Sequence, residues 1–571
     1  MKWQSIVDFR FKCGWLIFLM IFCTILLPQF VFANNLSISN VSLEDRDAGA
    51  DTAVVEFDIS WDNSWRNDIN YDAVWVFLKV CVGGTCSPDA NVAWTHGMLA
   101  TAGDNPVDSA PGDNADLNIY VPVDLVGAFL YRKASGNGTM AANDVRLTLD
   151  YGASPTSAAD TDQIQVKVFG IEMVYIQEGD FYIGDGDGTS ESASAFHSGT
   201  GNAAVQITGA LTGDIRVDVS FTGDDTQISN TGIGVDGDGG LDTDDNGTVD
   251  NADFPTGWGG FYLMKYEIGQ SQYRHFLNTL TREQQFSSET NNRIAEIATA
   301  GDYAMTDGAS VDYRQTLRLP DPLAGGSYPE EIGCDLDEDG VLNEYDDGGW
   351  IAMNYISWMD LCAYADWAGL RPMTELEFEK ASRGPLDTVY SEFAWGTTEA
   401  TDAAISGESL VNIGQVEEIA PKAGEGLSNY DSDTSTAPEG PIRVGFGANG
   451  STNRIEAGAG YYGGMNLSDN VCEMTISLGN TTGRAFEGSH GDGVLTTTAS
   501  YQGNATNDDW PGIDTTTARG VTGSGGSGIR GGSWSGYDYN MNLSARDSAA
   551  YMAVTGTRGS GWGGRLARTA M

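Results

Sequence analysis

The sequence predicts two kinds of structure in one chain: an all-β domain near the amino terminus and a larger α+β domain with little regular secondary structure. Alternating apolar and polar residues mark the first, whereas glycine-rich stretches with short apolar runs mark the second. The 571 residues include 74 glycines, many beside Asp or Asn, a composition typical of a backbone that turns tightly and often. Few long helices are therefore expected.

The charge balance excludes one broad class of partner. The chain carries 30 Lys and Arg against 80 Asp and Glu, for a formal net charge of −50, and 41% of its residues are hydrophobic. A nucleic-acid-binding protein needs a basic surface, which this composition does not provide. The apolar content is too high for a disordered chain, and at roughly 100 to 200 residues per domain the length corresponds to two to four domains.

The first 33 residues have the layout of a secretory signal peptide. Basic residues precede an apolar run over residues 15–27, and Val-Phe-Ala at residues 31–33 provides a small-residue cleavage site after Ala33. The alternative is an uncleaved anchor, but Pro28 and Gln29 interrupt the run before it reaches a comfortable membrane span. We expect a secreted, periplasmic or cell-surface protein with no stable membrane span after cleavage.

Cysteine usage agrees with an oxidising compartment. The mature chain retains five cysteines, an odd number that leaves at least one thiol unpaired within the chain. Cys81 and Cys86 flank Val-Gly-Gly-Thr, a turn that would let them close a small hairpin disulfide. The alternative is a pair of thiols at the ends of two strands.

Residues 34–169 are predicted to form a β-sandwich domain. Apolar residues alternate with polar ones at residues 55–61, 145–149 and 164–168, which places one face of each strand in a core and the other in water. Clusters of Asp, Gly, Asn and Pro separate these runs, and no helical period appears. This domain contains no catalytic pattern, so we interpret it as a support or interaction module.

Residues 170–571 form the predicted second domain. It begins with a strand pair at residues 173–176 and 181–183, followed by an acidic glycine-rich insertion over about residues 185–255. Residues 273–297 have a helical texture. Ser357 is a candidate helix cap, and Thr374 begins a T-E-L-E capping box in which the Thr hydroxyl and the Glu carboxylate satisfy exposed backbone N–H groups.

Two twelve-residue segments, 242–253 and 335–346, match the pattern of a calcium-binding loop. Calcium prefers six to eight oxygen ligands, odd loop positions direct oxygens inward, and a glycine at position six permits the sharp turn. The candidate ligands are Asp242, Asp244, Asn246, Thr248, Asp253, Asp335, Asp337, Asp339, Val341 and Asp346. Both loops close with Asp rather than Glu. The alternative is that an Asp- and Gly-rich chain simply contains solvated acidic loops.

Five motifs in order from residue 173 onward carry a family resemblance. They are M-V-Y-I-Q-E-G-D-F-Y-I-G (173–184), F-Y-L-M-K-Y-E-I-G-Q-S-Q-Y-R-H-F-L (261–277), I-S-W-M-D-L-C-A-Y-A-D-W-A-G-L-R-P-M-T-E-L-E-F-E-K-A-S-R-G (356–384), G-G-M-N-L-S-D-N-V-C-E-M (463–474) and R-G-G-S-W (530–534). This order resembles the formylglycine-generating enzyme, or sulfatase-modifying factor, family. The resemblance implies a C-type lectin-like fold whose loops are held by calcium ions.

The resemblance also implies two further calcium sites. At one, Asn466 and Glu473 match side-chain ligands, and Asp469 and Val471 match positions that offer backbone carbonyls. At the other, the matching residues are Asn412, Ile413, Asp431 and Asp433. Amide, carboxylate and carbonyl oxygens suit calcium. The alternative is that Asn466 and Glu473 only satisfy loop amides.

The family's redox chemistry does not carry over. Its oxidase members bind copper through two cysteines that follow the GGS motif, and copper(I) calls for such soft thiolate ligands. Here those positions are Gly536 and Met541, and residues 533–571 contain no cysteine. We therefore expect no copper, and no catalytic residue can be assigned.

Polar and aromatic residues after the GGS motif form the candidate ligand site: Ser533, Trp534, Tyr537, Tyr539 and Arg546. Ser533 and Arg546 match positions that line the peptide pocket of the family, and the aromatic residues would extend it. The alternative is that they pack the loops together.

The favoured hypothesis is a secreted, calcium-stabilised protein that binds a glycan, a peptide or a cell-envelope protein without redox chemistry. A second hypothesis is an oxidase of this superfamily with a cysteine-independent mechanism, which rests on analogy. A third is a display protein with variable carboxy-terminal loops, since some bacterial and phage receptors share this fold.

Overall fold

The computed structural model describes residues 35–84, 86–87, 91–106, 116–186, 195–197, 203–209, 216–217, 250–288, 290–295, 301–306, 308–320, 331–403, 410–420, 423–431, 439–536, 541–546, 549 and 557–570. The predicted signal peptide, residues 1–33, and most of the insertion at 185–255 lie outside this set.

The regular secondary structure of the described residues is mostly sheet, with five short helices. The first thirteen strands are β1 (Ser37–Asp47), β2 (Thr52–Arg66), β3 (Asp72–Val82), β4 (Thr95–Leu99), β5 (Gly103–Asp104), β6 (Leu117–Val121), β7 (Ala128–Arg132), β8 (Gly136–Asp150), β9 (Ile164–Ile176), β10 (Phe181–Ile183), β11 (Phe196–His197), β12 (Val205–Ile207) and β13 (Arg216–Val217).

The remaining strands are shorter. They are β14 (Phe261–Met264), β15 (Phe286–Ser288), β16 (Asn291–Asn292), β17 (Leu317–Arg318), β18 (Gly333–Cys334), β19 (Arg371–Pro372), β20 (Thr401–Asp402), β21 (Leu427–Ser428), β22 (Cys472–Ile476), β23 (Ile513–Asp514), β24 (Gly520–Val521), β25 (Ser527–Arg530), β26 (Trp562–Gly563) and β27 (Leu566–Thr569). The helices are α1 (Gln270–Leu277), α2 (Arg282–Gln285), α3 (Trp358–Ala368), α4 (Glu375–Arg383) and α5 (Thr481–Arg484).

One twelve-stranded sheet contains all of the long strands. Its main path runs β1-β2-β8-β4-β3-β9-β14-β27-β19, and β7, β6 and β5 extend it from β3. The predicted alternation is confirmed in β2, where every second residue from Ala53 to Trp61 is buried. These side chains join apolar residues of β3, β6 and β8 in one core. Burying one face of each strand in this way is what a period of two in the sequence predicts.

Strand β9 crosses the predicted domain boundary at residues 169 and 170. It pairs with β3 from Ile164 to Val174 and with β14 from Met173 to Ile176. Sheet hydrogen bonding therefore continues from the amino-terminal strands into the carboxy-terminal region, and the described residues from 35 onward belong to one compact unit.

Local helix signals are confirmed. Ser357 caps α3 by accepting a hydrogen bond from the backbone N–H of Asp360, and Thr374 and Glu377 form the predicted reciprocal capping box of α4. The helical texture at residues 273–297 corresponds to α1 and α2 only. The described helices are all too short to span a bilayer, since the longest, α3, has 11 residues.

Two further predictions can be compared with the structure. Residues 181–183 are a strand, but β10 pairs with β12 rather than with the strand over residues 173–176, because β3 and β14 already occupy both edges of that part of β9. Cys81 and Cys86 are joined in a disulfide. The other described cysteines, Cys334, Cys362 and Cys472, are free.

Candidate functional site

The acidic loop at residues 335–347 brings three carboxylates together. Asp335, Asp337 and Asp347 each offer an oxygen that lies within 4.8 Å of the other two, the closest grouping of metal-type ligands in the described part of the chain. Gly340, at loop position six, has φ +86°, the left-handed turn that the calcium-loop pattern requires of glycine. This is the candidate metal site with the clearest geometry.

Its ligand set differs from the predicted one at the closing position. Asp347 is buried and faces Asp335 and Asp337, whereas the side chain of the predicted Asp346 is exposed. Asp339 also lies outside the group, because its carboxylate accepts a 2.7 Å hydrogen bond from the backbone N–H of Val341.

Unsatisfied oxygens indicate that this loop suits a cation. Oδ1 of Asp335 and Oδ1 of Asp347 are both buried and lack a hydrogen-bond partner in the described structure. Burial raises the pKa of Asp347 to about 6, because a carboxylate beside other acids and away from water favours its neutral form. Arg318 pairs with the other oxygen of Asp335. Hard oxygen donors left without partners fit Ca²⁺.

Of the candidate ligands in the predicted calcium loop at residues 242–253, the structure describes Asp253. Asp242, Asp244, Asn246 and Thr248 lie outside the described residues. The backbone N–H of Asp253 donates to Oδ1 of Asn251 at 3.2 Å, within a turn that packs near residues 484–488.

The candidate site at residues 466–473 is deeply buried. Oδ1 of Asn466 accepts a 2.7 Å hydrogen bond from Gly445 N–H, and its amide nitrogen lies 3.2 Å from Oδ1 of Asp469. Asp469 also accepts from the backbone of Asn429 at 2.7 Å. Asn466 and Asp469 therefore already organise three loops through hydrogen bonds.

Sequence reasoning did not identify Glu267, a third acidic residue of this cluster. Its carboxylate accepts hydrogen bonds from Val471 N–H at 2.9 Å and from the amide of Asn470 at 2.7 Å. The sequence pattern that could have identified it is the motif at 261–277, in which Glu267 follows shortly after the buried strand β14, which ends at Met264.

Electrostatics separate this cluster from the acidic loop. Burial raises the pKa of Asp469 and of Glu473 to about 7 each, and that of Glu267 well above its usual value. Arg565 donates to Oε1 of Glu473 at 2.6 Å, while Oε2 has no hydrogen-bond partner among the described residues. Each cluster has one adjacent guanidinium, Arg565 here and Arg318 at the acidic loop, but the loop offers two orphan carboxylate oxygens against one here, so the acidic loop fits calcium better.

The other set of residues matched to a calcium site of the family lies near the surface. Asn412, with φ +58°, donates from its amide to the carbonyl of Glu417 at 3.3 Å, and Ile413 is 47% exposed. Asp431 donates its backbone N–H to the carbonyl of Gly536 at 2.9 Å. Asp433 lies outside the described residues.

The two positions that hold cysteines in the family's oxidases cannot bind copper here. Gly536 closes a tight turn by donating its N–H to Ser533 at 2.9 Å. Met541 is fully buried in an apolar cluster with residues such as Phe378 and Leu543. Without a thiolate and with the thioether packed in a core, the residues present do not fit a copper ion.

The free Cys472 lies in this part of the molecule. Its thiol is hydrogen-bonded to the Ser533 side chain, and burial raises its pKa to about 12. A thiol with so high a pKa is a poor nucleophile and a poor metal ligand at neutral pH.

The predicted ligand pocket is only partly assembled by the described residues. Trp534 is 2% exposed, donates from its indole nitrogen to the carbonyl of Ser560 at 2.9 Å, and packs against Tyr313 with 4.9 Å between ring centroids. Ser533 is also buried, with its hydroxyl 3.4 Å from that of Ser535. Tyr537 and Tyr539 lie outside the described residues.

Arg546 occupies the interior rather than a pocket wall. Its guanidinium donates to both oxygens of Glu375, at 2.6 and 2.9 Å, and both side chains are fully buried. Arg530 donates to the same carboxylate at 2.9 Å. Although burial alone would raise it, the two arginines hold the pKa of Glu375 below its ordinary value. Arg546 is thus engaged in a structural ion-pair network.

Comparison with known proteins locates the chain among its relatives. The family model for the sulfatase-modifying factor enzyme 1-like domain matches residues 237–570. A formylglycine-generating enzyme from Thermomonospora curvata is 34% identical over 119 residues, which cover 21% of this chain and 31% of that protein. The matched segment thus spans about a third of the length of this curated relative.

Proposed function

Because the chain belongs to the sulfatase-modifying factor enzyme 1-like family, whose model covers more than half of its residues, we propose that it is a secreted, calcium-stabilised binding protein of that family. In this proposal the carboxy-terminal region has the C-type lectin-like fold, and the amino-terminal strands form a β-sandwich that supports it. The ligand is a glycan, a peptide or a cell-envelope protein.

The replacement of the two copper-binding cysteines carries this proposal. Gly536 belongs to a turn, and Met541 is packed among apolar side chains, so neither residue supplies the soft, charged ligand that oxygen activation by copper needs. A family member without this site retains a surface built of loops, which is suited to binding.

Calcium has a structural role in this proposal. Asp335, Asp337 and Asp347 would hold one ion, with the orphan Oδ1 atoms of Asp335 and Asp347 as ligands. The ion would relieve the repulsion of the three acids. The loop at residues 242–253 and the positions at 412–433 and 466–473 are proposed as additional sites.

The first test is metal analysis of the mature chain beginning at residue 34. After dialysis against metal-free buffer and readdition of calcium, mass spectrometry should detect bound calcium and no stoichiometric copper. Chelation should lower the melting temperature, and readdition of calcium should restore it. At a free calcium concentration 100 times the dissociation constant, binding to one site adds about 2.7 kcal/mol to the free energy of unfolding.

A paired variant makes this test specific. The double variant D335N/D337N should lose one calcium equivalent and part of the chelator response, whereas D68N, at an exposed position of the amino-terminal region, should behave as the wild type. An unchanged melting temperature with chelator, in both the wild type and the double variant, would refute a calcium-stabilised fold.

The oxidase alternative is tested in the same preparation. Oxygen uptake and aldehyde formation are measured with a cysteine-containing peptide in the presence of copper. We expect neither. Stoichiometric copper or iron together with oxygen uptake would instead support a cysteine-independent oxidase.

A further inference from the structure

A large cavity lies between strands β1 and β9 on one side and helix α1 on the other. Its volume is about 640 Å³, within the range of small-molecule sites in proteins. Apolar side chains form most of the wall, including Ile38, Val168, Phe169, Trp350 and Trp367. None of the residues predicted above to bind ligand or metal through a side chain lines it, so it is separate from the site after the GGS motif.

The polar groups on the helix side of this cavity are cationic or neutral donors. Arg274 donates to Nε2 of His275 at 2.8 Å and to Oγ of Ser271 at 3.3 Å, and it also contacts the amide oxygen of Asn343. These are neutral acceptors, and no carboxylate lies within ion-pair distance of Arg274 in the described structure. Because Nε2 of His275 accepts from an arginine, this imidazole is uncharged.

Lys167, on strand β9, brings a second positive charge to the cavity from the strand side. Its ammonium group is 3.9 Å from Glu331, the limit of an ion pair, and both side chains are substantially exposed, at 36% and 62%. Such a pair contributes little and is easily exchanged for a stronger partner.

The two buried acidic groups of the lining hold protein partners, although Oε1 of Glu172 lacks a hydrogen-bond partner in the described structure. Glu172 lies 3.2 Å from the ammonium group of Lys265, and only 3% of its side chain is exposed. Glu267 is fully buried and accepts from Val471 and Asn470. The charged groups that a ligand in the cavity can reach are therefore Arg274, Lys167 and the exposed Glu331, and the charge of Arg274 remains in excess when Lys167 pairs with Glu331.

We propose that this cavity binds a small amphipathic organic anion, with its apolar body against Phe169 and its neighbours and its carboxylate, or an equivalent anionic group, against Arg274 and Lys167. A charge-assisted hydrogen bond from an arginine without an acidic partner supplies the specificity, and burial of apolar surface supplies much of the affinity. In a chain with a net charge of −50, two cationic side chains that line one cavity, one of them without an acidic partner in the described structure, are a distinguishing feature.

The test uses three eight-carbon probes that share one apolar body. Octanoate, 1-octanol and octylammonium are titrated into the mature full-length protein by isothermal titration calorimetry. Octanoate should bind with one site and at least tenfold more tightly than octanol, and octylammonium should bind most weakly. Equal affinity of octanoate and octanol, or no saturable binding of octanoate, would overturn the proposal.

Variants then locate the site. R274Q should weaken octanoate binding by about tenfold and leave octanol binding unchanged, whereas K167Q should have a smaller effect. The matched control is R519Q, which removes a partly exposed arginine outside the cavity. If R274Q is poorly folded by circular dichroism, R274K, which retains the charge, replaces it and should keep most of the octanoate affinity. Equal octanoate affinity in R274Q and R519Q would place binding elsewhere.

The outcome is independent of the proposed calcium and binding functions. Arg274 contacts Asn343 of the acidic loop, so calcium content and chelator response are also measured for R274Q. A wild-type protein that passes those tests and fails here would retain its proposed function and lose only this second site.

Discussion

Two regions of the molecule provide hydrogen-bond partners for their buried backbone groups in different ways. They are the amino-terminal region, residues 35–176, and the carboxy-terminal region, residues 250–570. In the first, strands of up to 15 residues pair with one another. In the second, strands have two to five residues, and loops make up most of the chain. A long ladder satisfies N–H and C=O groups by itself, whereas loops must find other partners.

Charged side chains are among those partners. Oε1 of Glu375 accepts the backbone N–H of Leu478 at 2.9 Å while both Arg530 and Arg546 neutralise the carboxylate. In the amino-terminal region the pair between Arg46 and Asp160 is instead on the surface, with 48% and 46% of the side chains exposed. Buried ion pairs therefore hold loops together in the carboxy-terminal region. Ion pairs within the amino-terminal region are partly exposed, and its buried acids Asp72 and Glu172 pair instead with Lys265 of the carboxy-terminal region.

The largest expected effect comes from breaking a buried ion pair in the carboxy-terminal region. E375Q leaves the buried Arg546 without a carboxylate and Arg530 with Glu379 alone, which should lower the free energy of unfolding by about 3–5 kcal/mol. Urea denaturation measures this, with E399Q, at an exposed position, as the control. A loss below about 1 kcal/mol would show that the network is not needed to hold the loops.

In the amino-terminal region, apolar packing should dominate instead. L147A truncates a fully buried side chain of β8 and should cost about 2–4 kcal/mol, because it leaves a cavity in the core between the strands. V123A, at a residue that is 72% exposed, is the control and should change stability by less than about 0.5 kcal/mol. Similar values for the two variants in urea would contradict this contrast.

Acid should distinguish the wild type from E375Q. The pKa of Glu375 is lowered in the folded protein, so its contribution to stability is complete above the unfolded pKa and is lost as the pH falls through the folded pKa. Below pH about 4.5, the stability difference between wild type and E375Q should shrink by up to about 1.4 kcal/mol per pH unit. A difference that stays constant from pH 6 to pH 3 would argue against a depressed pKa.

The smallest effect is expected at the exposed pair. D160N removes the charge opposite Arg46, in an environment where water screens the interaction, and should shift the urea midpoint less than E375Q or L147A does. The difference in stability between D160N and the wild type should change little with salt concentration. A loss comparable to that of E375Q, measured in the same urea series, would remove the distinction between the two regions.

Local patterns predicted local structure well. Val55 to Trp61 alternate because one strand face is buried, and Ser357 and Thr374 cap helices through atoms only three residues away. Such interactions involve residues that are close together in the sequence. The order of short motifs was also sufficient to identify the family.

Interactions between distant segments were not predictable in the same way. Arg546 was assigned to a pocket, yet its partner Glu375 lies 171 residues earlier, and only the folded chain brings them together. At the acidic loop, the pattern indicated Asp346, but the backbone turns Asp347 inward instead. The boundary at residue 169 was placed where composition changes, although β9 continues through it.

The position of β27 has a consequence for the order in which the protein assembles. This strand, at residues 566–569, lies between β14 and β19, and Arg565 beside it donates to the carbonyl of Met264, 301 residues earlier. Until residues 566–569 have been synthesised, β14 has an open edge where β27 belongs. The sheet of the carboxy-terminal region is therefore completed long after β14 itself is made, and a long-range pairing of this kind is expected to form slowly.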